Sequence, residues 1–177
     1  MSFISVFAAE EETRNKEELK RDLERTEFQL FRMQDNMKEI AKQWQVIGID
    51  QTKDENWVIV YTDLNEHSCK IMLNDCESAY RGAWDFSIHA KYEEGNTIFI
   101  GDIKGPENKG YGSICMNYLK EVARNQNIQY ITGDIAERDW DHVDRLVHFY
   151  EKHNFEVELN EEKKCGEIVC KPFEEES

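Results

Sequence analysis

The chain has 177 residues, the size of one domain or of one domain with an appendage. Lys and Arg total 22 against 37 Asp and Glu, a formal net charge of −15, so we expect no surface that binds the phosphate backbone of nucleic acid. The longest apolar runs, such as residues 57–61, are far shorter than the roughly 18 residues that a membrane-spanning helix needs, and we expect no membrane partner. The first residues lack the basic start of a signal peptide, and an acidic run follows them. These features predict a soluble, cytoplasmic protein.

The cysteines and histidines predict neither a disulfide framework nor a metal site. The five cysteines are odd in number and show no CxxC spacing of the kind found in zinc and redox sites. We interpret them as reduced, mostly structural thiols, with Cys115 as a packing residue. His148 and His153 are five residues apart, whereas two ligands on one helical face lie three or four apart.

A long N-terminal helix is predicted over residues 10–46, which are highly charged and contain neither Gly nor Pro. Phe28 and Phe31 lie off its main apolar stripe. Two interpretations stay open: an amphipathic helix that lies on the domain, or a helix that also makes a homodimer contact. The stripe follows the alternating spacings of four and three of a heptad seam, at Leu19, Leu23, Thr26, Leu30, Met33, Met37, Ile40 and Trp44.

Residues 48–103 favour short strands separated by polar turns. Residues 57–62 and 70–73 are apolar and β-branched, and apolar and polar residues alternate over 84–92. Gly95 lies in a turn that leads into a further strand at 97–103. The pattern predicts a half-buried antiparallel meander.

After residue 105 the pattern alternates between helices and strands. It predicts a helix over 113–125, a strand over 128–135, a second helix with Asp141 as its N-cap, and a left-handed turn at Asn154. Two last strands are predicted near residues 155–159 and 167–171. The fold class is therefore α/β, with a mixed, mostly antiparallel twisted sheet flanked by helices. The expected organisation is a helical extension over residues 1–46, a domain over 47–173 and an acidic tail over 174–177.

The glycine-rich turn before the helix at 113–125 is the candidate binding site. Gly110 and Gly112 flank Tyr111, and their missing Cβ atoms let backbone amides approach a ligand closely. The first amides of a helix favour a phosphate or pyrophosphate, because they have no intrahelical partners and lie at the positive end of the helix dipole. The spacing is neither that of a P-loop nor the GxGxxG of dinucleotide folds. A tight turn without a ligand is the alternative.

Two segments in the second half of the chain resemble motifs of the GCN5-related N-acetyltransferase (GNAT) family. In that family a strand leads into a loop of Arg or Gln, two residues, Gly, one residue and then Gly or Ala, which binds the pyrophosphate of acetyl-CoA; residues 107–112 read ENKGYG. A later family helix ends in a motif like FYEKxGF, and residues 149–155 read FYEKHNF. The order of the two motifs makes residues 97–173 similar to a GNAT domain. Glu107 stands where the family has Arg or Gln, and Val143 where it often has Asn.

The resemblance implies direct transfer of an acetyl group from acetyl-CoA to a primary amine within one ternary complex. Tyr150 matches the family's general acid, a phenol that protonates the departing thiolate. Asp102 and Asp134, late in the two strands that flank the acetyl group, are candidate general bases, with solvated strand-end carboxylates as the alternative. The backbone at Ile103 and Lys104 is expected to align the pantetheine arm. The residues expected to hold the cofactor's pyrophosphate are those of the loop and the helix start: Asn108, Lys109, Gly110, Tyr111, Gly112 and Ser113.

The net charge of the chain gives an indication of the amine that accepts the acetyl group. Most of the net negative charge lies in residues 46–177, and such a field attracts cationic acceptors such as polyamines, aminoglycosides or lysine-rich peptides. A merely solubilising acidic surface is the alternative, so the expectation is a small-molecule or peptide amine. The rival hypothesis is a non-catalytic acyl-CoA-binding or coiled-coil scaffold protein that keeps the fold, since Glu107 and Val143 depart from the family pattern.

Overall fold

The computed structural model describes residues 15–174. It contains three α-helices, α1 (Lys16–Ala41), α2 (Tyr111–Asn125) and α3 (Val143–Lys152), and a 3-10 helix (Glu137–His142) directly before α3. The strands are β1 (Gln45–Gln51), β2 (Trp57–Leu64), β3 (Ser68–Asn74), β4 (Phe86–Glu93), β5 (Thr97–Lys104), β6 (Tyr130–Ile135), β7 (Glu156–Asn160) and β8 (Cys165–Cys170).

The eight strands form one sheet in the order β1-β2-β3-β4-β5-β6-β8-β7. Neighbouring strands are antiparallel except β5 and β6, which are parallel because the connection between them carries α2 across the sheet. The predicted mixed, mostly antiparallel sheet with flanking helices is confirmed.

The sheet has a core on each face, and this differs from the predicted half-buried meander. α2 and α3 cover one face with a large apolar cluster that includes Val58, Val60 and Leu119. On the other face, Ile59 and Tyr61 pack against Ile40 of α1. The run VIVYT in β2 is buried on both sides because helices lie above and below it, so its side chains do not alternate between core and solvent.

Helix α1 begins with an Asn15 cap, whose side chain accepts a hydrogen bond from the Glu17 amide at 3.2 Å. It ends at Ala41, five residues before the end of the predicted helix. The prediction was too long because the apolar pattern includes Trp44. Trp44 lies in the turn before β1, and its side chain packs in the same cluster as Met37. Its indole nitrogen lies 3.3 Å from the Tyr80 hydroxyl. Residues 10–14 of the predicted helix lie outside the described residues.

The start of α3 also differs from its prediction. Asp141 lies within the 3-10 helix, and α3 begins at Val143 with His142 in the cap position, so the predicted N-cap is wrong. The tight turns of residues 137–142 bring the chain into the helix without a side-chain cap. At the other end, Asn154 adopts the predicted left-handed conformation with φ of 64°.

The five cysteines are free thiols, and Cys115 is fully buried as a packing residue. Over residues 15–174, no three His, Cys, Asp or Glu side chains come together in a way that could hold a metal ion. No helix within the same residues has the length and apolar character needed to cross a membrane.

Candidate active site

The parallel strands β5 and β6 separate at the centre of the sheet. Their backbone pairing runs from Thr97 opposite Tyr130 to Ile100 opposite Gly133 and ends there, although β5 continues to Lys104. On the other side of β5, the pairing with β4 shifts register between His89 and Ala90. The separation opens a cavity of about 680 Å³, large enough for a sizeable organic ligand. It lies between the ends of the two strands, the loop 105–110 and helices α2 and α3.

The glycine turn forms the rim of this cavity. Gly110 is the N-cap of α2 with φ of 79°, a left-handed conformation that favours glycine, and it offers no side chain to the first helical amides. A Cβ on Gly112 would lie 3.3 Å from the rings of Phe149 and Phe86, so glycine lets the helix start pack closely against them. The first turn of α2 carries no acidic side chain. Its amides are therefore suited to an anion.

Tyr150 is 7% exposed and lines the cavity from α3. Its ring makes edge contacts with Phe149 and Phe155, with centroids 5.3 and 5.4 Å away, and these contacts fix its position. Burial, with a smaller contribution from the charge of Asp139, raises the pKa of Tyr150 to about 12. The phenol is therefore protonated at neutral pH and able to donate a hydrogen bond.

The two candidate bases come from the two strands that separate at the cavity. The carboxylate of Asp102, at the end of β5, lies 2.8 Å from the Lys104 ammonium. Asp134, late in β6, is exposed and stands directly opposite Glu167 of β8. Both aspartates line the cavity. Asp134 is the more available carboxylate because Asp102 already has a cationic partner.

The predicted cofactor-binding residues divide into two groups. Ile103, Asn108, Gly110, Tyr111, Gly112 and Ser113 line the cavity, whereas Lys104 and Lys109 are not part of its lining. The Lys109 ammonium lies 3.7 Å from a carboxylate oxygen of Glu77.

Tyr111 contributes its backbone to this rim, while its side chain is a core residue. The ring is 2% exposed, makes an edge contact with Phe86, and its hydroxyl lies 3.4 Å from Asp75. Burial, reinforced by the charges of Asp75 and Glu77, raises the pKa of Tyr111. The phenol therefore stays neutral in the core.

Two residues of the site were missed at the level of sequence. His153 is buried, and its Nε2 atom lies 3.0 Å from the Ser113 hydroxyl. Burial, followed by the charges of Lys120 and Lys152, lowers the pKa of His153 to about 4, so the imidazole is neutral at physiological pH. Arg145 of α3 forms a two-point ion pair with Glu107 of the loop. Neither contact is visible in the sequence, because each joins residues about 40 positions apart.

No protein-family model matches the sequence. The uncharacterized protein YocC of Bacillus subtilis (strain 168) is 54% identical to the chain over 155 residues, covering 88% of this chain and 93% of YocC. The chain belongs to the YocC family. The structure of this YocC-family member is similar to the GNAT domain of S. lividans PAT, with a TM-score of 0.55 over 70% of this chain and 96% of that domain, at 6% identity. This similarity confirms the GNAT fold.

A looser structural match to the YocC-family chain is the IAA acetyltransferase from Bacillus cereus ATCC 14579. That match has a TM-score of 0.45 and 12% identity, and it covers 60% of this chain and 79% of the acetyltransferase. In the YocC-family chain β1 forms one edge of the sheet and pairs with β2, and both strands follow the long helix α1.

Proposed function

We propose that the protein is an acetyl-CoA-dependent N-acetyltransferase, which transfers an acetyl group to a primary amine by direct attack in a ternary complex. The observation that carries this proposal is the convergence on one cavity of three features: the divergence of β5 and β6, the glycine-capped start of α2, and the buried phenol of Tyr150. The GNAT fold of the chain and its two sequence motifs support the same assignment.

The rim of the cavity has the chemistry to hold the cofactor. The open amides at the start of α2, together with Asn108 and the Ser113 hydroxyl, would bind the pyrophosphate of acetyl-CoA. The β5 backbone beyond Ile100 has no partner in β6, although it still pairs with β4. Those amides and carbonyls of residues 101–103 that point away from β4 are therefore available to the amide groups of the pantetheine arm. Acetyl-CoA supplies an activated thioester to this site.

The side chains around the strand ends would manage the protons of the transfer. As the amine nitrogen bonds to the acetyl carbon and the carbon–sulfur bond breaks, the Tyr150 hydroxyl gives its proton to the leaving sulfur. The amine proton leaves to Asp134 or Asp102, directly or through water, and returns through solvent to the Tyr150 phenolate, which restores the phenol. The acidic surface of the chain favours a cationic small molecule or peptide as the amine.

A non-catalytic scaffold is the second candidate, and one observation favours it. Residues 19–31 of α1 include large exposed apolar side chains, among them Leu23 at 59% and Phe31 at 66%. A surface of this kind is typical of an interaction site. In this alternative the chain would bind acyl-CoA without turnover, and α1 would supply its biological role.

The variant Tyr150→Phe separates the two candidates. As an enzyme, the variant should lose about 100-fold or more in turnover with a panel of primary amines, because the leaving sulfur no longer receives its proton from the phenol. Its affinity for acetyl-CoA should stay within about twofold of wild type. Thiol release and calorimetric binding measure the two quantities.

The matched control is Tyr130→Phe, which removes a hydroxyl from a surface ring that is 42% exposed and does not line the cavity. It should leave both turnover and binding unchanged. Turnover by Tyr150→Phe at the wild-type rate would remove Tyr150 from the mechanism. Binding of acetyl-CoA by wild type without transfer to any amine would favour the scaffold.

A further inference from the structure

The loop that begins at Glu107 carries an acidic residue where a cofactor phosphate is expected to bind. The structure pairs this carboxylate with Arg145 of α3: Nη1 lies 2.5 Å from Oε2, and Nη2 lies 2.7 Å from Oε1. The arrangement is the two-point geometry in which a guanidinium matches a carboxylate or a phosphate. Both side chains line the cavity.

Arg145 is well placed to supply the positive charge at this rim. The loop's own cation, Lys109, is directed toward Glu77 and the ring of Tyr111, and does not line the cavity. Lys104, at the end of β5, is paired with Asp102. A guanidinium from the neighbouring helix therefore lies where the loop itself offers none.

The ion pair can exchange partners at little cost. The side chains of Arg145 and Glu107 are 48% and 60% exposed, and an ion pair at that exposure contributes only a small free energy in water. A phosphate group carries three acceptor oxygens and accepts the same two-point hydrogen bonds. An incoming phosphate can therefore displace the carboxylate from the guanidinium.

We propose that Arg145 is a binding residue for a phosphate group of the acyl-CoA cofactor, and that Glu107 is a competing partner that occupies the Arg145 guanidinium at the cavity rim until a phosphate replaces it. This inference rests on the proposed function. It assigns the recognition of the cofactor's phosphate charge to α3 in addition to the loop and the start of α2.

Binding measurements with three ligands test the assignment. Acetyl-CoA carries a pyrophosphate and a 3′-phosphate, dephospho-acetyl-CoA lacks the 3′-phosphate, and acetyl-pantetheine carries no phosphate. Arg145→Gln should weaken acetyl-CoA binding about tenfold or more, the effect of losing a hydrogen bond to a charged group, and should reduce the salt dependence of binding. It should leave acetyl-pantetheine binding unchanged. If dephospho-acetyl-CoA shows the same loss, Arg145 contacts the pyrophosphate; if the loss vanishes, it contacts the 3′-phosphate.

The role of Glu107 requires a double-mutant cycle. Glu107→Gln should tighten acetyl-CoA binding by about two- to fivefold, the range of an exposed ion pair, because Arg145 is then free of its competitor. In the Arg145→Gln background, the same substitution should have a much smaller effect. Equal effects in both backgrounds would show that Glu107 acts on the phosphate by direct repulsion and would overturn its role as a competitor for Arg145.

Arg81→Gln is the matched control, because it removes one positive charge from an exposed arginine outside the cavity lining. It should leave all three affinities unchanged. Wild-type affinity for acetyl-CoA in Arg145→Gln, or an equal loss for acetyl-pantetheine, would overturn the assignment of Arg145 alone. Failure of wild type to bind acetyl-CoA would overturn the proposed function together with this inference.

Discussion

At the scale of single residues, His153 links the end of α3 to the start of α2. Its imidazole hydrogen-bonds with the Ser113 hydroxyl, and its carbonyl oxygen accepts a hydrogen bond from the buried Lys120 ammonium. The ring also makes an edge contact with Phe149, at 5.0 Å between centroids. His153 therefore holds the helix start at the cavity rim in position while remaining neutral.

This environment predicts a pH dependence of stability. The pKa of His153 is about 4 in the folded protein against about 6.5 when unfolded, so the unfolded chain binds more protons between these values. The free energy of unfolding should therefore fall as the pH drops from about 6.5 to 4, by up to about 3 kcal/mol from this residue. Urea denaturation at several pH values measures the slope.

A comparison of wild type with His153→Gln isolates the contribution of His153 to the pH dependence of the free energy of unfolding. Glutamine retains a hydrogen-bonding group for Ser113 but does not titrate, so the variant should lose less stability over the same pH range. His67→Gln, at an exposed turn, serves as the control and should follow wild type. If the free energy of unfolding depends on pH equally in wild type and His153→Gln, the imidazole of His153 is not buried in its neutral form as described.

The residues of the site were predictable where a local motif carries them. Gly110 lies in a glycine turn before a predicted helix, Tyr150 lies in a segment that resembles a GNAT motif, and both line the cavity. Arg145 and His153 were missed because their partners come from other elements. Lys109 looked suitable from its neighbours in sequence, yet its ammonium points to Glu77, on a loop that no pattern brings near.

At the scale of elements, α1 has two unlike halves. From Met33 to Ile40 it packs against β2, and Asn36 is buried with hydrogen bonds to Asn74 and to the Tyr80 amide. Residues 15–31 are largely exposed. The sequence pattern indicated the seam along the whole helix, but the point where contact with the domain begins depends on the sheet beneath it.

The homodimer contact of α1 stays a prediction with a direct test. Leu23 is 59% exposed, so Leu23→Asp should convert a dimer to a monomer in sedimentation without lowering the melting temperature. The charges along α1 would not oppose this contact, because the two signs are nearly balanced there, whereas the rest of the chain is strongly negative.

Gln34→Asp, at an exposed position on the packed half of α1, adds the same charge outside the exposed apolar half and should leave the dimer intact. A monomeric wild type at high protein concentration would rule out the dimer. If the dimer persists in Leu23→Asp, the dimer contact does not involve the exposed apolar part of α1.

The sequence patterns predicted most strands of the sheet. They did not identify β1 as a separate strand, and they did not show that β2 is buried on both faces. β1 was not assigned individually because Gly48 and the polar residues Gln45 and Asp50 weaken its pattern. A Cβ at Gly48 would collide with the ring of Tyr118 from α2, so a larger residue there would force that side chain to move. Burial of β2 on both faces depends on α1, so alternation within the strand could not reveal it.

At the scale of the whole molecule, the acidic surface and the GNAT fold together define the proposed chemistry. A net charge of −15 surrounds a cavity whose rim presents open helical amides and the guanidinium of Arg145. The field favours a cationic amine, while the rim favours a cofactor phosphate. The two ligands would then approach parts of the site with opposite local charge.

The most direct test of the central claim is calorimetric titration of the full chain with acetyl-CoA, with NAD as a dinucleotide control. The account predicts a dissociation constant in the micromolar range, about −8 kcal/mol, for acetyl-CoA and no binding of NAD. A thermal shift with acetyl-CoA should accompany the heat of binding. Absence of both signals at millimolar acetyl-CoA would contradict the assignment of this cavity as an acetyl-CoA site.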